Sequence, residues 1–295
     1  MKVLVSGGTG LVGRYIVEGL LEAGYPVIVG GRTPPASGFF SKPVTFARLS
    51  LDPALDQIEI FDDAYFFVHA AFDHLPGQYR GGEGDEPERF RRLNLDGTVK
   101  LFETARKAGT RRAVFLSSRA VYDGQAAGTL LTEDMVLKPA SLYGEIKLHA
   151  ERALADLSAP GFTTSSLRLT GVYGNLRPNK WDALFADFRA GHPVPSRAGT
   201  EIHGRDVAAA VRLMLETEAG KIAGQVFNAA DILTDTNEIL GHLPGARHDL
   251  PAPADRRTVN LMSTEKLRAL GWQPGGADLL RQTIEDLVRS FSATG

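Results

Sequence analysis

"VLVSGGTGLVGRYIVEGL", residues 3–20, decides the fold. The chain leaves a strand, "KVLVSG", passes Gly7, Gly10 and Gly13 at three-residue spacing, and enters a helix. That helix has apolar residues at 15, 16, 17, 20 and 21 and a glycine stop at Gly24. Glycines in such a turn allow a tight bend, let backbone N–H groups approach a pyrophosphate, and let the helix pack on its strand, while the helix N-terminus adds partial positive charge. A glycine triplet alone is weak evidence. A strand before it and a helix after it, at the start of a βαβ unit, make it a dinucleotide cradle. The residues placed to hold the dinucleotide are Gly7, Thr9, Gly10, Leu11, Val12 and Gly13.

Outward from that unit, short β-branched or aromatic runs alternate with helical patterns. "YPVIVGG" (25–31), "VTFARLSL" (44–51), "AYFFVHAAF" (64–72) and "RAVFLSS" (112–118) read as strands two to five, with a helix from about 88 to 108 before the fifth. "TTSSLRLTGVYG" (163–174) and "GQVFNAA" (224–230) supply two more. Near-continuous apolar strands alternating with helices predict a Rossmann-type, doubly wound α/β fold with a parallel sheet. Residues 1–173, completed by about 204–230, form the dinucleotide-binding domain in this reading. Residues 174–203 and 231–295, whose first parts are rich in Pro, Gly and polar turns, form a smaller C-terminal substrate-binding subdomain at the sheet edge where ligands bind. The segment "PGQYRGGEGDEPE" (76–88) reads as either a mobile surface loop or a lid.

Composition narrows the function. The chain has 295 residues, 43% hydrophobic and 23% charged, with a formal net charge of −2 and no dense basic run, which argues against nucleic-acid and membrane-surface partners. It has no cysteine, so disulfides, thiolate nucleophiles and Cys-ligated zinc are excluded, and its seven histidines show no metal-ligand spacing. No apolar run approaches the ~18 residues of a membrane span, and none resembles a secretory signal, so a cytoplasmic protein is expected.

A site selective for NAD usually carries a carboxylate at the end of strand two to accept from the ribose 2′-hydroxyl. Here that place reads "VIVGGRTP", with Gly31 where the acid would fall and Arg32 after it, and no Asp or Glu occurs between Glu22 and Asp52. Arg32 suits a 2′-phosphate, so NADP is favoured over NAD.

With the cradle in place, "SLYGEIK" (141–147) completes a pattern that resembles the extended short-chain dehydrogenase/reductase superfamily, the epimerase/dehydratase-like branch. Other motifs extend the resemblance nearly end to end: "FVHAAF" at 67–72, "LNLDGT" at 93–98, "FLSSRAVY" at 115–122, "LRLTGVYG" at 167–174 and "LRALGWQP" at 267–274. The resemblance implies an enzyme with Tyr143 and Lys147 of the tyrosine-x-x-x-lysine motif and Ser118 as its catalytic residues, Tyr143 and Lys147 also lying against the cofactor. It further implies cofactor contacts at Ala70, Ala71 and Phe72, and a substrate pocket lined by Asn94 and Ser118. His69 is expected to be structural, Tyr173 to be packing and Trp272 to anchor the C-terminal piece. A homodimer through the 88–108 helix and the helix carrying Tyr143 is a family expectation.

The chemistry stands independently. Residues four apart on a helix lie roughly 5–6 Å apart at Cβ. Lowering a tyrosine pKa from about 10 by ~3 units needs about 4 kcal/mol. One ammonium ~5 Å away supplies roughly 3 kcal/mol at an effective dielectric of ~20. Tyr143 is thereby fitted to proton transfer beside a nicotinamide, in hydride transfer to or from a carbonyl or hydroxyl of a polar small molecule such as a sugar.

Departures from the family pattern refine this. Dehydratases carry an Asp-Glu pair after the active-site Ser or Thr, whereas Arg119 and Ala120 stand here. "PSRAGTEIHGRDVAAAV" (195–211) is shorter than in nucleotide-sugar members and lacks their phosphate-gripping arginine, for which Arg197 or Arg205 would have to substitute. Gly171 replaces the asparagine of the "LRxxNxxG" pattern. A sugar or nucleotide-sugar epimerase using NAD and a non-catalytic dinucleotide sensor are the alternatives.

Overall fold

The computed structural model describes residues 1–75, 81–177, 179–243 and 249–292; of the lid-or-loop stretch 76–88, residues 76–80 lie outside them. The seven strands read from the sequence form one parallel sheet. In chain order they are β1 (Lys2–Ser6), β2 (Val27–Gly31), β3 (Thr45–Arg48), β4 (Ala64–His69) and β5 (Arg112–Ser118), followed after the short β6 (Leu130–Leu131) by β7 (Thr163–Leu169) and, later, β10 (Gln225–Ala229). Their spatial order is β10-β7-β5-β4-β1-β2-β3. The order reverses beside β1, the switch point at which doubly wound sheets bind ligands beyond the strand ends.

Period-two alternation splits the apolar side chains between two cores. Val3, Val5, Val27, Val29 and Val68 face α1 (Leu11–Glu22) and α6 (Gly204–Glu216). Leu4, Ile28, Phe67 and Phe115 face α3 (Gly97–Lys107) and α4 (Leu142–Asp156). The helix expected over 88–108 is present but interrupted: α2 (Pro87–Arg91) and α3 flank a π-helical turn at Arg92–Asp96. Gly97 follows that turn because a Cβ there would collide with the Leu51 carbonyl oxygen.

"TTSSLRLTGVYG" does not run as one strand. Thr170 ends β7 by turning its hydroxyl to the Thr200 carbonyl oxygen at 2.5 Å, and the chain crosses to β8 (Gly171–Tyr173). β8 joins β9 (Ala198–His203) and β11 (Ile232–Asp235) in a second, three-stranded sheet. Around it α5 (Asp182–Arg189), α8 (Thr236–Gly241) and α10 (Gly276–Ser292) bury Trp181, Phe185, Leu240 and Ile284 in a separate core with Tyr173, which stacks on Trp181 at 5.0 Å. Between them α7 (Ala219–Ile222) precedes β10. β12 (Leu261–Met262) pairs with β6, and α9 (Glu265–Arg268) returns Leu267 and Trp272 to the larger core. Trp272 donates its indole N–H to the Asp206 carbonyl oxygen at 2.9 Å. Tyr15 of α1 ties the two lobes: its ring occupies the space that Gly174 and Gly204 leave open, and its hydroxyl accepts from the Leu176 N–H at 2.6 Å. Among the described residues no helix is long and apolar enough to cross a membrane.

Behind the strand ends lies a buried ionic network. Arg168 on β7 and Glu151 on α4, with side chains 4% and 2% exposed, form a two-pronged pair at 3.0 and 2.7 Å. Arg168 also donates to the Tyr122 hydroxyl at 2.7 Å, and Tyr122 donates to Asn228 at 2.8 Å. Removing one member of such a pair strands a buried charge, whereas removing both does not. We therefore expect Arg168→Met to cost about 3–5 kcal/mol in urea unfolding, and the double variant Arg168→Met/Glu151→Leu to recover most of that loss.

Candidate active site

A cavity of about 1460 Å³ opens along the C-terminal ends of the strands and runs beneath the smaller lobe. Its floor is the glycine turn. Gly7 adopts φ +69°, and a Cβ on it would come within 2.8 Å of the Ala71 backbone. A Cβ on Gly13 would collide with the Gly7 carbonyl oxygen. These two glycines permit the close approach expected of them. Gly10 caps α1 without any side-chain bond, so the first N–H groups of the helix, at Leu11, Val12 and Gly13, face the cavity. All six cradle residues, Gly7, Thr9, Gly10, Leu11, Val12 and Gly13, line it.

The opposite wall is fixed by polar contacts. Ser6 Oγ accepts from the Ala70 and Ala71 N–H groups at 3.2 and 3.3 Å and lies 2.7 Å from His69 Nδ1, while His69 Nε2 lies 2.9 Å from the Thr98 hydroxyl. Burial drives the His69 pKa down to about 3, so the ring is neutral. With its lone pairs taken by the two N–H groups, Ser6 donates to Nδ1, and Nε2–H in turn donates to Thr98. His69 is structural, as expected. It places Ala70, Ala71 and Phe72 along the cavity, where the sequence assigned them.

Ser118, Tyr143 and Lys147 come together on this cavity from β5 and α4. Ser141 starts α4 by accepting the Gly144 N–H at 3.2 Å, which sets the helix so that Tyr143 and Lys147 share a face. A Cβ on Gly144 would lie 2.5 Å from the Ala120 carbonyl oxygen, so glycine lets α4 seat against the segment after β5. Ser118 Oγ accepts from the Ala120 N–H at 3.2 Å, which leaves its own proton to donate into the cavity. Tyr143 is half-buried edge-on to Phe72 at 5.1 Å. Lys147 is buried: its ammonium donates to the Leu116 carbonyl oxygen at 2.8 Å and sits 4.7 and 4.6 Å from the Phe72 and Phe115 rings. Burial lowers its pKa to about 7, against the raising influence of Glu151 one turn along. Its charge is therefore conditional, where the sequence arithmetic took a full ammonium.

Two expectations are corrected. Asn94 does not line the cavity. It is 1% exposed, and its side-chain amide is held at both ends by the Asp73 backbone, accepting the Asp73 N–H and donating to the Asp73 carbonyl oxygen, both at 2.7 Å. It positions the loop after β4 through that backbone. Arg32 lines the cavity, as expected, but its guanidinium, 84% exposed, is paired with Asp73 at 3.2 Å. Arg197 lines the cavity and Arg205 does not.

Sequence reasoning missed Asp73, Arg89, Asp52, Lys180 and Glu201, all of which face the cavity. Asp52 pairs with Arg92 at 2.8 Å, and Lys180 with Glu201 at 2.5 Å. Asp52, Asp73, Arg89 and Lys180 sit in no motif, and Glu201 lies on β9 within the 195–211 stretch, where its spacing carried no signal. Gly171 was noticed as a departure. A Cβ there would lie 2.5 Å from a Glu201 carboxylate oxygen, so the missing side chain is replaced by a carboxylate from the neighbouring strand.

Comparison with known proteins places the whole chain among related enzymes. A model of the NAD dependent epimerase/dehydratase family matches residues 3–230. The chain is 29% identical to a UDP-glucose 4-epimerase of Corynebacterium glutamicum over 328 residues, covering 100% of this chain and 97% of the relative. It is 30% identical to a D-erythronate dehydrogenase of Cupriavidus necator over 215 residues, 65% of this chain and 60% of the relative. Among solved structures it superposes on MoeE5 in complex with UDP-glucose and NAD with a TM-score of 0.79 at 26% identity, over 99% of this chain and 100% of the other.

The Lys147 environment fixes a pH dependence. Its folded pKa, about 7, lies below the ordinary lysine value, so between about pH 7 and 10.5 the unfolded chain holds the proton more strongly and stability rises with pH. Between pH 7.5 and 9.5 the wild type should gain about 2 kcal/mol against urea relative to Lys147→Met, in which this contribution is absent.

Proposed function

Since the chain belongs to the NAD dependent epimerase/dehydratase family, we propose that it transfers hydride between a nicotinamide dinucleotide and a carbonyl or hydroxyl carbon of a sugar or sugar derivative, with Tyr143 as acid or base. One observation carries this: Ser118, Tyr143 and Lys147 line the same cavity as the uncapped N-terminus of α1. The open N–H groups of Leu11, Val12 and Gly13 and the backbone-close glycine floor fit a pyrophosphate, while Ala70, Ala71 and Phe72 border the path from it to Tyr143.

When bound, the nicotinamide gives or takes the hydride. The chain's own residues handle the proton. Ser118 donates a hydrogen bond to the substrate oxygen and fixes its position. Tyr143 donates its phenolic proton to that oxygen when a carbonyl is reduced, or withdraws the hydroxyl proton in the reverse direction. Lys147, when charged, favours the phenolate and so sets the pH range in which Tyr143 exchanges a proton. Phe72 and Phe115 keep water from the ammonium, which strengthens its influence on the phenol.

The cofactor reading turns from NADP to NAD. MoeE5 was solved with NAD, and the arginine that suggested a 2′-phosphate is held by Asp73. The smaller lobe takes the substrate in this reading, through Lys180, Glu201 and Arg197. A carboxylate at Glu201 suits the hydroxyls of a sugar or sugar acid. The full-length match to a UDP-glucose 4-epimerase supports a second reading, in which the hydride returns to the opposite face of the same sugar carbon.

Assays with NAD and a panel of free sugars, sugar acids and UDP-sugars separate the two. Lasting absorbance at 340 nm marks net oxidation, and an epimer formed without it marks the second reading. In either case Tyr143→Phe should lower turnover by roughly 10²- to 10⁴-fold with dinucleotide binding retained. A fully active variant would overturn the assignment.

A further inference from the structure

We propose that Asp73, near the start of the loop after β4, supplies the ribose-reading carboxylate that β2 lacks, and that by holding Arg32 and Arg89 it makes the site prefer a 2′-hydroxyl to a 2′-phosphate. The inference rests on the dinucleotide site described above.

β2 ends at Gly31, with no side chain to offer the ribose. The next residue, Arg32, turns across the cavity to Asp73, with Nη1 3.2 Å from Oδ1. The other carboxylate oxygen, Oδ2, takes Arg89 Nη1 of α2 at 3.1 Å. Exposure divides the three unequally. The Asp73 side chain is 19% exposed, Arg89 53% and Arg32 84%. The carboxylate is thus the fixed member and the arginines the adaptable ones. Its mount is the Asn94 amide, 1% exposed, which grips the Asp73 backbone from both sides. This arrangement explains why a buried asparagine sits beneath the loop without reaching the cavity.

Position gives the cluster its meaning. The dinucleotide's adenosine ribose lies at the end of strand two in this fold, beside the residue following that strand. Arg32 is that residue here, and Gly31, Arg32, Asp73 and Arg89 line one continuous wall with the glycine cradle. A carboxylate has about four acceptor positions, and the two ion pairs use one on each oxygen. Asp73 can therefore accept a ribose hydroxyl while keeping both arginines. A 2′-phosphate in the same place meets a like charge, and the guanidinium groups must leave Asp73 to reach it. Neutralising Asp73 removes both obstacles and releases two arginines suited to bidentate phosphate binding.

The test is a fluorescence titration of the full chain with NAD and NADP. Wild type should bind NAD more tightly. Asp73→Asn, which keeps the backbone grip of Asn94, should weaken NAD and tighten NADP, moving the ratio of the two dissociation constants toward NADP by roughly 10- to 100-fold. Adding Arg89→Ala to that variant should take back part of the NADP gain. A ratio unchanged in Asp73→Asn, or moved toward NAD, overturns the proposal. If that variant fails to fold, Arg32→Ala/Arg89→Ala in the wild-type background should raise the NADP constant while changing NAD little, and an equal loss of both overturns it. Wild type that binds neither dinucleotide sinks the proposed function itself, a different result from a ratio that does not respond.

Discussion

The site depends on how closely two pieces of backbone lie. The turn after β1 presses against the loop after β4 at the distance that Gly7 permits, with the Ala71 backbone only 2.8 Å from where a Cβ would stand. Ser6 and His69, the last residues of adjacent strands, hold this approach from below through Ala70, Ala71 and Thr98. A neutral imidazole is essential to that chain of contacts, because a protonated ring would turn Nδ1 from acceptor to donor against a Ser6 hydroxyl already accepting two N–H groups. Burial keeps the ring neutral. Cradle floor, cofactor wall and the Asp73 loop all take their places from this one seam.

The parts legible in the sequence were those with a backbone reason to be spaced as they are. Gly7 and Gly13 stand where no Cβ fits, Tyr143 and Lys147 stand one helical turn apart, and β1, β2, β4 and β5 alternate apolar side chains between two cores. Residues acting through tertiary pairing left no such trace. Asp73, Arg89, Lys180 and Glu201 are ordinary charged residues until the fold brings them to one cavity. Asn94 was noticed for the right reason and given the wrong partner. The π turn at Arg92–Asp96 interrupts the helix around it, and the Asn94 amide meets the Asp73 backbone.

Lys147 shows what sequence arithmetic leaves out. Spacing alone gives an ammonium near a phenol; the structure adds the cost of burying it. The charge survives near neutral pH only because a carbonyl oxygen, two aromatic faces and the Glu151 carboxylate surround it. Glu151 is in turn clamped by Arg168, which reaches Tyr122 and Asn228 on neighbouring segments. The charge state of Lys147 is thus set by a network that spans β5, α4, β7 and β10, rather than by helix spacing alone.

Gly171 and Glu201 exclude each other's alternatives. A side chain at 171 and the Glu201 carboxylate compete for one space, and a Cβ at 171 would oblige the carboxylate to swing away from the place where Lys180 holds it. Substitutions at these positions are therefore not independent. Growth at position 171 is accommodated when the flexible Glu201 side chain moves away or is shortened, and Lys180 then loses that carboxylate. The two positions thus act as one unit, and the charge balance of this cavity wall changes whenever either of them does.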